Sequence, residues 1–366
     1  MTAVHPLHSI CPYFAMFPPG FVERYVLAFT EPGDVVFDPF SGRGTTVFES
    51  LLLNRRAYGL DINPVAACVS GAKADPPTVA ALLRRIAQLR EQFSDMGVAQ
   101  VPNTEFFEAC FAPSTLKQIV FLRNSLNWTS SKVDRFIAAM ALGCLHGESH
   151  KSLNCFSNRM PRTISTKPDY SVRWWAANGY EAPVRDVFDI LAAQVKFRFA
   201  RGVPSISGEA RLGDVRNATA MFRKLQGAVQ LVVTSPPYLD TTDYGEDQWL
   251  RLWFLGGAER PKGRIFADAR HGTSQAYWAF LTAAWTGIAG LLAPNCTIVI
   301  RIGGMSFAPA DLEEGVYTSL RNGLGCNSLE IVQPLNVSEI RNRQTNVFRP
   351  GTKGKRVEYD FVLRAA

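Results

Sequence analysis

The chain has 366 residues, of which 47% are hydrophobic and 19% charged, and its formal net charge is +7. That length and apolar content exclude a disordered chain and leave room for one large core or two smaller ones. The basic balance favours a polyanionic partner through phosphate neutralisation and counterion release, without demanding one.

The first informative stretch is Asp34-Val35-Val36-Phe37-Asp38-Pro39-Phe40-Ser41-Gly42-Arg43-Gly44-Thr45-Thr46. It reads as a buried strand, a glycine-containing turn and a helix from Val47 to Asn54. The run Ala57-Tyr58-Gly59-Leu60-Asp61 then reads as a second strand, closing a parallel βαβ unit. Gly42 and Gly44 let the backbone approach a ligand without a Cβ in the way. Asp61, about twenty residues beyond the first strand, is placed to accept from ribose hydroxyls. A nicotinamide-binding unit uses the same geometry, but the third glycine of its fingerprint is missing from Gly-Arg-Gly-Thr-Thr-Val. Asp38-Pro39 at the strand end repels a pyrophosphate and suits a cofactor bearing an ammonium group, as S-adenosylmethionine does.

Helical spacing follows at Ala80 to Phe93 and Ser114 to Leu126, and Lys132 to Leu145 is a more apolar helix stopped near Gly147. From His150 to Asp169 the chain is irregular and polar, with Lys151, Arg159, Arg162 and Lys167 among Ser, Thr and Asn. Such a loop can track phosphates and offer amides to base edges; a solvated surface loop is the plainer alternative. Trp174 and Trp175 read as packing anchors, and Pro183 to Phe199 as a helix with Pro183 in its first turn.

Leu212-Gly213-Asp214 precedes a helix expected from Ala218 to Leu225. Asp214 is suited to accepting from an adenine amine at a strand tip or to capping that helix, and the two roles are compatible. The apolar run Leu231-Val232-Val233 leads into Thr234-Ser235-Pro236-Pro237-Tyr238. An exocyclic base amine is a poor nucleophile because its lone pair is delocalised into the ring. Acceptors that draw its protons out of that geometry make it reactive, and a Ser oxygen with the next backbone carbonyl supplies two. Pro236 and Pro237 fix the backbone and bring no N–H to compete. Tyr238 offers a face for a flipped base, a contact worth about 1–3 kcal/mol in general. The plainer alternative is a Pro-Pro turn ending a strand, with Tyr238 as half-buried packing.

Beyond it, Leu239 to Tyr244 is expected to be a loop closing over the base, and Glu246 to Leu255 a helix with Trp249 and Trp253 inward. No charge occurs from Thr273 to Ile300, yet Thr, Ser, Gln, Asn and Pro294 break the apolar run. A buried helix over Gln275 to Leu292 and a core strand over Cys296 to Ile302 fit better than a membrane span. Arg341, Arg343, Arg349, Lys353, Lys355 and Arg356 precede a last strand at Val357 to Leu363. They form either a basic hairpin against a DNA backbone or a solvated charge run. The seven cysteines contain no Cys-x-x-Cys pair and read as reduced thiols. His5 with His8, and His146 with His150, lack the partners a metal site needs, so no metal is expected. Without a basic region and long apolar run at the start, no signal peptide is expected.

These motifs resemble those of the DNA amino-methyltransferases, which methylate the N4 of cytosine or the N6 of adenine, many in restriction–modification systems. The likeness rests on Cys11-Pro12-Tyr13-Phe14-Ala15-Met16-Phe17-Pro18-Pro19, Asp38 to Thr46, Asp61-Ile62-Asn63-Pro64, Gly213-Asp214 and Thr234 to Tyr238. It covers the two ends of the chain and says little about the middle. It implies S-adenosylmethionine as cofactor, with Phe14 and Phe17 beside it and Asp38, Pro39, Phe40, Gly42, Gly44, Thr45, Asp61, Asp214 and Thr234 binding it. Ser235, Pro236, Pro237 and Tyr238 would be catalytic. Lys151, Arg159, Arg162, Lys167, Arg341 and Arg343 are the candidates for nucleic-acid contact.

The expected fold is α/β: a doubly wound, mostly parallel, Rossmann-like methyltransferase sheet with an inserted, mainly helical recognition region. Residues 1–74 form the cofactor-binding half, 75–201 the inserted region and 202–366 the catalytic half. The expected activity is site-specific methylation of double-stranded DNA in a prokaryotic cytoplasm, with a cognate restriction endonuclease as the partner such systems provide. Ser235 tilts the choice toward cytosine N4, because Asp or Asn is commoner there among N6-adenine members; adenine N6 stays open. Cytosine C5 chemistry needs a thiolate from a Pro-Cys pair, and no cysteine here follows a proline. An RNA amine methyltransferase and a non-catalytic nucleic-acid-binding protein on the same fold remain as rivals.

Overall fold

The structure, a computed structural model, describes residues 4–13, 17–95, 101–148, 154–160, 167–239, 248–260, 273–303, 307–339 and 357–365. It divides into two compact units, one of residues 17–63, 204–242 and 267–366, the other of 1–16, 64–203 and 243–266. These borders differ from the three-part division read from sequence. The segments 64–74 and 243–266 go with the helices of the middle of the chain.

The first unit opens with helix α1 (Pro19–Phe29), whose proline at the first turn loses no hydrogen bond because helix-start N–H groups have no partner there. Strand β1 (Val35–Asp38), helix α2 (Thr45–Leu52) and strand β2 (Arg56–Asp61) follow. Helix α2 spans Thr45–Leu52 rather than Val47 to Asn54, because the chain turns at both ends through left-handed residues, Gly44 at φ 74° and Asn54 at φ 61°. Next come β3 (Glu209–Leu212), β4 (Val229–Thr234), helix α3 (Ser274–Ala289), β5 (Leu292–Gly303), helix α4 (Pro309–Leu324), β6 (Leu329–Glu339) and β7 (Val357–Ala365).

The seven strands form one sheet in the order β3-β2-β1-β4-β5-β7-β6. All neighbours from β3 to β5 run parallel, while β7 is antiparallel to both β5 and β6. The chain direction across the sheet reverses between β1 and β4, the place where open α/β sheets bind ligands at their carboxyl ends. Successive strand residues alternate between faces. Val35, Phe37, Val232, Ile298 and Ile300 pack with Leu281, Trp285 and Ile288 of α3 and Val316 and Leu320 of α4. Val36, Leu231, Val233, Val299 and Val362 pack against Phe21, Val22, Tyr25 and Val26 of α1. Both faces are covered, which is why β1 is fully buried along its length. The doubly wound, mostly parallel α/β sheet is therefore present.

Two expected helices in this unit differ in detail. α3 stops at Ala289, three residues before β5 takes over at Leu292. The stretch read as one helix from Ala218 to Leu225 is a 3-10 turn, a single α-turn at Ala218–Met221 and a second 3-10 turn. Among the described residues no helix is long and apolar enough to cross a membrane.

The second unit is mainly helical. Helices Val79–Asp95, Pro113–Ser125, Lys132–Cys144 and Val187–Arg198 make up its frame. Ser131 caps the third by accepting the Asp134 N–H at 3.2 Å. Asp186 caps the last, so that helix begins at Val187 and leaves Pro183 outside it. Arg85 is held to the buried Asp134 at 2.8 Å. Trp249 and Trp253, on the short helix Trp249–Phe254, are buried against Phe106 and Phe107. Trp175 is buried too, its indole N–H donating to the Arg159 carbonyl at 2.7 Å.

Candidate active site

The site is built at the carboxyl ends of β1, β2, β3 and β4. The chain leaves β1 through Asp38-Pro39-Phe40 and turns at Gly42 and Gly44, both with positive φ (49° and 74°), a region where a side chain would be strained. That turn is pinned to the next strand. Asp61 accepts the Gly42 N–H at 2.8 Å through one oxygen and the Asn63 N–H at 2.9 Å through the other. Gly59, inside β2, allows the turn to lie close, since a Cβ there would meet Ser41 Cβ and Val47 Cγ2 at 2.9 Å. It performs the close helix–strand packing that the absent third glycine of the dinucleotide fingerprint performs elsewhere. Thr45 lies buried in the first turn of α2.

Asp38 is 1% exposed. One of its oxygens accepts from the Thr234 hydroxyl at 2.7 Å and the Phe40 N–H at 3.1 Å. Burial pushes its pKa up to about 7, against the lowering effect of donors from Thr234, Thr46 and Phe40. Pro39 is buried, and Phe40 is half-buried with its ring near Phe280 and Trp285.

Asp214 lies one strand further out, where the Gly213 N–H donates to the Asp61 carbonyl at 2.9 Å. Its side chain caps the 3-10 turn Val215–Asn217 by accepting the Arg216 N–H. The Arg216 guanidinium also donates to both oxygens, Nε lying 3.0 Å from each, and holds Asp214 below the usual carboxylate range. Phe17 belongs to the opposite face of the sheet, packed on Phe21 at 5.0 Å and nearly buried, which leaves little of it for a ligand. Phe14 lies outside the described residues.

Strand β4 delivers the tetrapeptide. Thr46 donates to the Val233 carbonyl at 3.0 Å, and Thr234 bonds Asp38, so the end of β4 is fastened both to the first turn of α2 and to the end of β1. Ser235, Pro237 and Tyr238 are half-buried and Pro236 is buried. The Ser235 hydroxyl donates to the Tyr238 oxygen at 3.4 Å, and the Tyr238 hydroxyl donates to Glu358 at 3.3 Å. Burial, reinforced by Glu358, pushes the Tyr238 phenol far up. Burial also raises Glu358, opposed by Arg301 and the Tyr238 hydrogen bond.

Sequence reasoning missed this last set. Arg301 on β5 donates to both oxygens of Asp360 on β7, at 2.6 and 2.9 Å, and lies 3.5 Å from Glu358. Burial lowers the Arg301 pKa, but Asp360 and Glu358 more than reverse that. The available signal was a lone Arg in the apolar run Ile298-Val299-Ile300-Arg301-Ile302 and a lone Asp before Phe361-Val362-Leu363. Among the candidates for nucleic-acid contact, Arg159 and Lys167 are exposed in the helical unit. Lys151, Arg162, Arg341 and Arg343 lie outside the described residues, as do residues 240–244 of the loop expected from Leu239 to Tyr244.

The sheet is seven-stranded with one late antiparallel strand, an acid stands at the tip of β2 and a Pro-Pro tetrapeptide follows β4. The DNA methylase family model matches residues 4–69. The type II methyltransferase M.MvaI of Kocuria varians is 25% identical over 236 residues, 59% of this chain and 51% of that protein. The type II methyltransferase M.BglII of Bacillus subtilis is 50% identical over 46 residues, 13% of each chain. The chain thus spans about half the length of the first of these relatives and a small part of the second. Among solved structures, the rRNA methyltransferase aviRa from Streptomyces viridochromogenes aligns over 100% of this chain and 91% of its own. Its TM-score is 0.35 at 14% identity, too slight a likeness to carry an argument. The chain is thus similar to DNA methyltransferases over these stretches, and the methyl donor that goes with that likeness is S-adenosylmethionine.

The residues present fit that cofactor. Ile62 and Leu212, beside Asp61 and Gly213, are 53% and 43% exposed, large apolar side chains turned to solvent where an adenine ring would cover them. Asp61 carries its two backbone donors and is still partly exposed for ribose hydroxyls. Asp38, in its ionised form, would suit an ammonium group.

Proposed function

We propose that this chain is a site-specific DNA methyltransferase acting on the exocyclic amine of a base flipped out of duplex DNA, with cytosine N4 favoured over adenine N6. The observation that carries the reading is the double fastening of the tetrapeptide strand end, to the end of β1 through Thr234 and Asp38 and to the first turn of α2 through Val233 and Thr46. It supports the reading because it holds the residues proposed as amine acceptors close to the turn proposed for the donor.

In this reading Asp61 and Asp214 hold the ribose and adenine, Ile62 and Leu212 cover the ring faces, and the Gly42–Gly44 turn follows the cofactor backbone. S-adenosylmethionine would supply a methyl group on a sulfonium: the new N–C bond forms as the S–C bond breaks to release a neutral thioether, with no covalent enzyme intermediate, and the methylated amine gives up one proton to solvent. The Ser235 oxygen and the Pro236 carbonyl accept the two amine hydrogens and draw the nitrogen lone pair out of conjugation. The fixed geometry of Pro236 and Pro237 keeps those acceptors aligned, so little is lost to reorientation at the moment of attack. The Tyr238 ring carries the base by stacking. Ser235 favours cytosine N4 through the family tendency alone. Basic side chains such as Arg159 and Lys167 take the phosphate backbone, and a cognate endonuclease would share the recognition site.

The test is methyl transfer to duplex DNA, single-stranded DNA and RNA in parallel, followed by nucleoside mass spectrometry. N4-methylcytosine in duplex DNA is the expected product. N6-methyladenine would correct the base while keeping the reaction, and labelled RNA beside unlabelled DNA would overturn the reading.

A further inference from the structure

A serine hydroxyl facing an amine is ambiguous, because it can donate as readily as accept. If Ser235 donated, it would compete for the very lone pair that must attack. The amine needs an acceptor, so something has to occupy the single Ser235 hydrogen.

Resting on the proposed amine methylation, we propose that Glu358, oriented by Arg301, sets the direction of a hydrogen-bond chain that presents Ser235 to the base as an acceptor. Ser235 donates to Tyr238, and Tyr238 donates to Glu358. An ionised carboxylate has no hydrogen to return, so the chain runs one way only. Arg301 keeps the carboxylate in place: its guanidinium lies 3.5 Å from the second Glu358 oxygen while the first takes the Tyr238 hydroxyl. Arg301 is itself fixed by two bonds to the fully buried Asp360, which Asn336 also supports at 2.8 Å. Gly303 makes room for this arrangement, since a Cβ there would meet the Val357 carbonyl at 2.8 Å and Glu358 Cγ at 3.2 Å. Glu358 and Arg301 are positioning residues: they act on the base through Tyr238 and Ser235.

The isosteric substitution Glu358→Gln separates this role from packing. The guanidinium of Arg301 requires an oxygen, so the new amide would turn its NH2 toward Tyr238. Tyr238 would then accept from it and donate to Ser235, and Ser235 would be left to donate toward the amine. A residue needed only for shape or for a hydrogen bond would be replaced well by Gln.

The experiment measures kcat with duplex DNA, together with S-adenosylmethionine and DNA dissociation constants and the melting temperature. It uses the wild type, Glu358→Gln, Tyr238→Phe and the double variant. Expected are losses in kcat of about tenfold to a hundredfold for each single variant, the scale of one misdirected hydrogen bond to a reacting group. Both dissociation constants stay near the wild-type values, and the double variant is no slower than Tyr238→Phe. Wild-type kcat in Glu358→Gln, or losses that multiply in the double variant, would overturn the proposal. Failure of the wild type to methylate DNA at all would instead overturn the function proposed above.

Discussion

Thr234 at the end of β4 donates its hydroxyl to Asp38 at the end of β1 over 2.7 Å, although 196 positions separate them in the chain. The bond crosses the point where the sheet order reverses, so it ties the turn expected to hold the methyl donor to the strand that carries the amine acceptors. Replacing Thr234 with Val keeps the shape and removes the donor. A buried carboxylate that loses a donor costs about 1–3 kcal/mol. Denaturant unfolding of Thr234→Val should show a loss in that range, with a weaker affinity for S-adenosylmethionine in calorimetry. A stability equal to wild type would mean that the bond contributes nothing.

Burial raises Asp38 to about 7, whereas the unfolded chain has an ordinary carboxylate near 3.8. The folded state therefore binds the proton more tightly, and the stability this contributes is fully present at pH below the unfolded value and is lost as pH rises through about 7. Affinity for a cation runs the other way, since the ionised form attracts it. Binding of S-adenosylmethionine is expected to strengthen by up to about tenfold between roughly pH 6 and 8, and Asp38→Asn should flatten that dependence. Calorimetric titrations at several pH values decide it: an Asp38→Asn profile parallel to the wild type would assign the pH dependence to another group.

Gly59 lies in β2 rather than in the turn, yet it governs how closely the turn approaches. With Ser41 Cβ and Val47 Cγ2 both 2.9 Å from where a Cβ would lie, Gly59→Ala must push α2 away from the sheet. Overpacking of this kind costs about 1–3 kcal/mol. Because Asp61 holds Gly42 from the end of the same strand, the displacement should also weaken cofactor binding. Melting temperature and cofactor dissociation constant should therefore fall and rise together in this variant. A drop in stability with unchanged affinity would place the strain away from the binding turn.

The β1 turn, Asp61 and the strand before Ser235 were legible because each is a short apolar run ended by Gly, Asp or Pro, a pattern that survives without knowledge of neighbours. Helix boundaries were less so. Val187–Arg198 starts where the Asp186 side chain caps it, and Pro183, a good first-turn residue by type, is passed over. Helices α1 and α4 were not singled out in the sequence, since each starts at a proline next to a motif or a break that drew the reading elsewhere. Strand β6 is an edge strand with Ile331 56% and Val337 54% exposed, so it lacks a buried apolar signature. Glu358 was out of reach for another reason. Its role depends on the antiparallel pairing that sets Arg301 opposite Asp360, and nothing local to β5 or β7 announces that register.

That pairing carries the last prediction. Asp360 is fully buried, and Arg301 reaches it with two hydrogen bonds while its guanidinium carbon lies 3.8 Å from the centre of the Phe21 ring. Arg301→Met preserves much of the side-chain volume but leaves the Asp360 carboxylate with the Asn336 amide as its remaining described side-chain donor. Removing one partner of a buried pair costs about 3–5 kcal/mol, because the other charge stays out of water without compensation. Arg301→Met with Asp360→Leu removes both charges and should recover much of that loss, since apolar replacement of a whole buried pair is often neutral or better. Urea unfolding of the two variants distinguishes the cases. If recovery of stability in the double variant came with recovery of methyl transfer, Arg301 would matter for folding alone; stability without activity would tie it to the orientation of Glu358 and, through Tyr238, of Ser235.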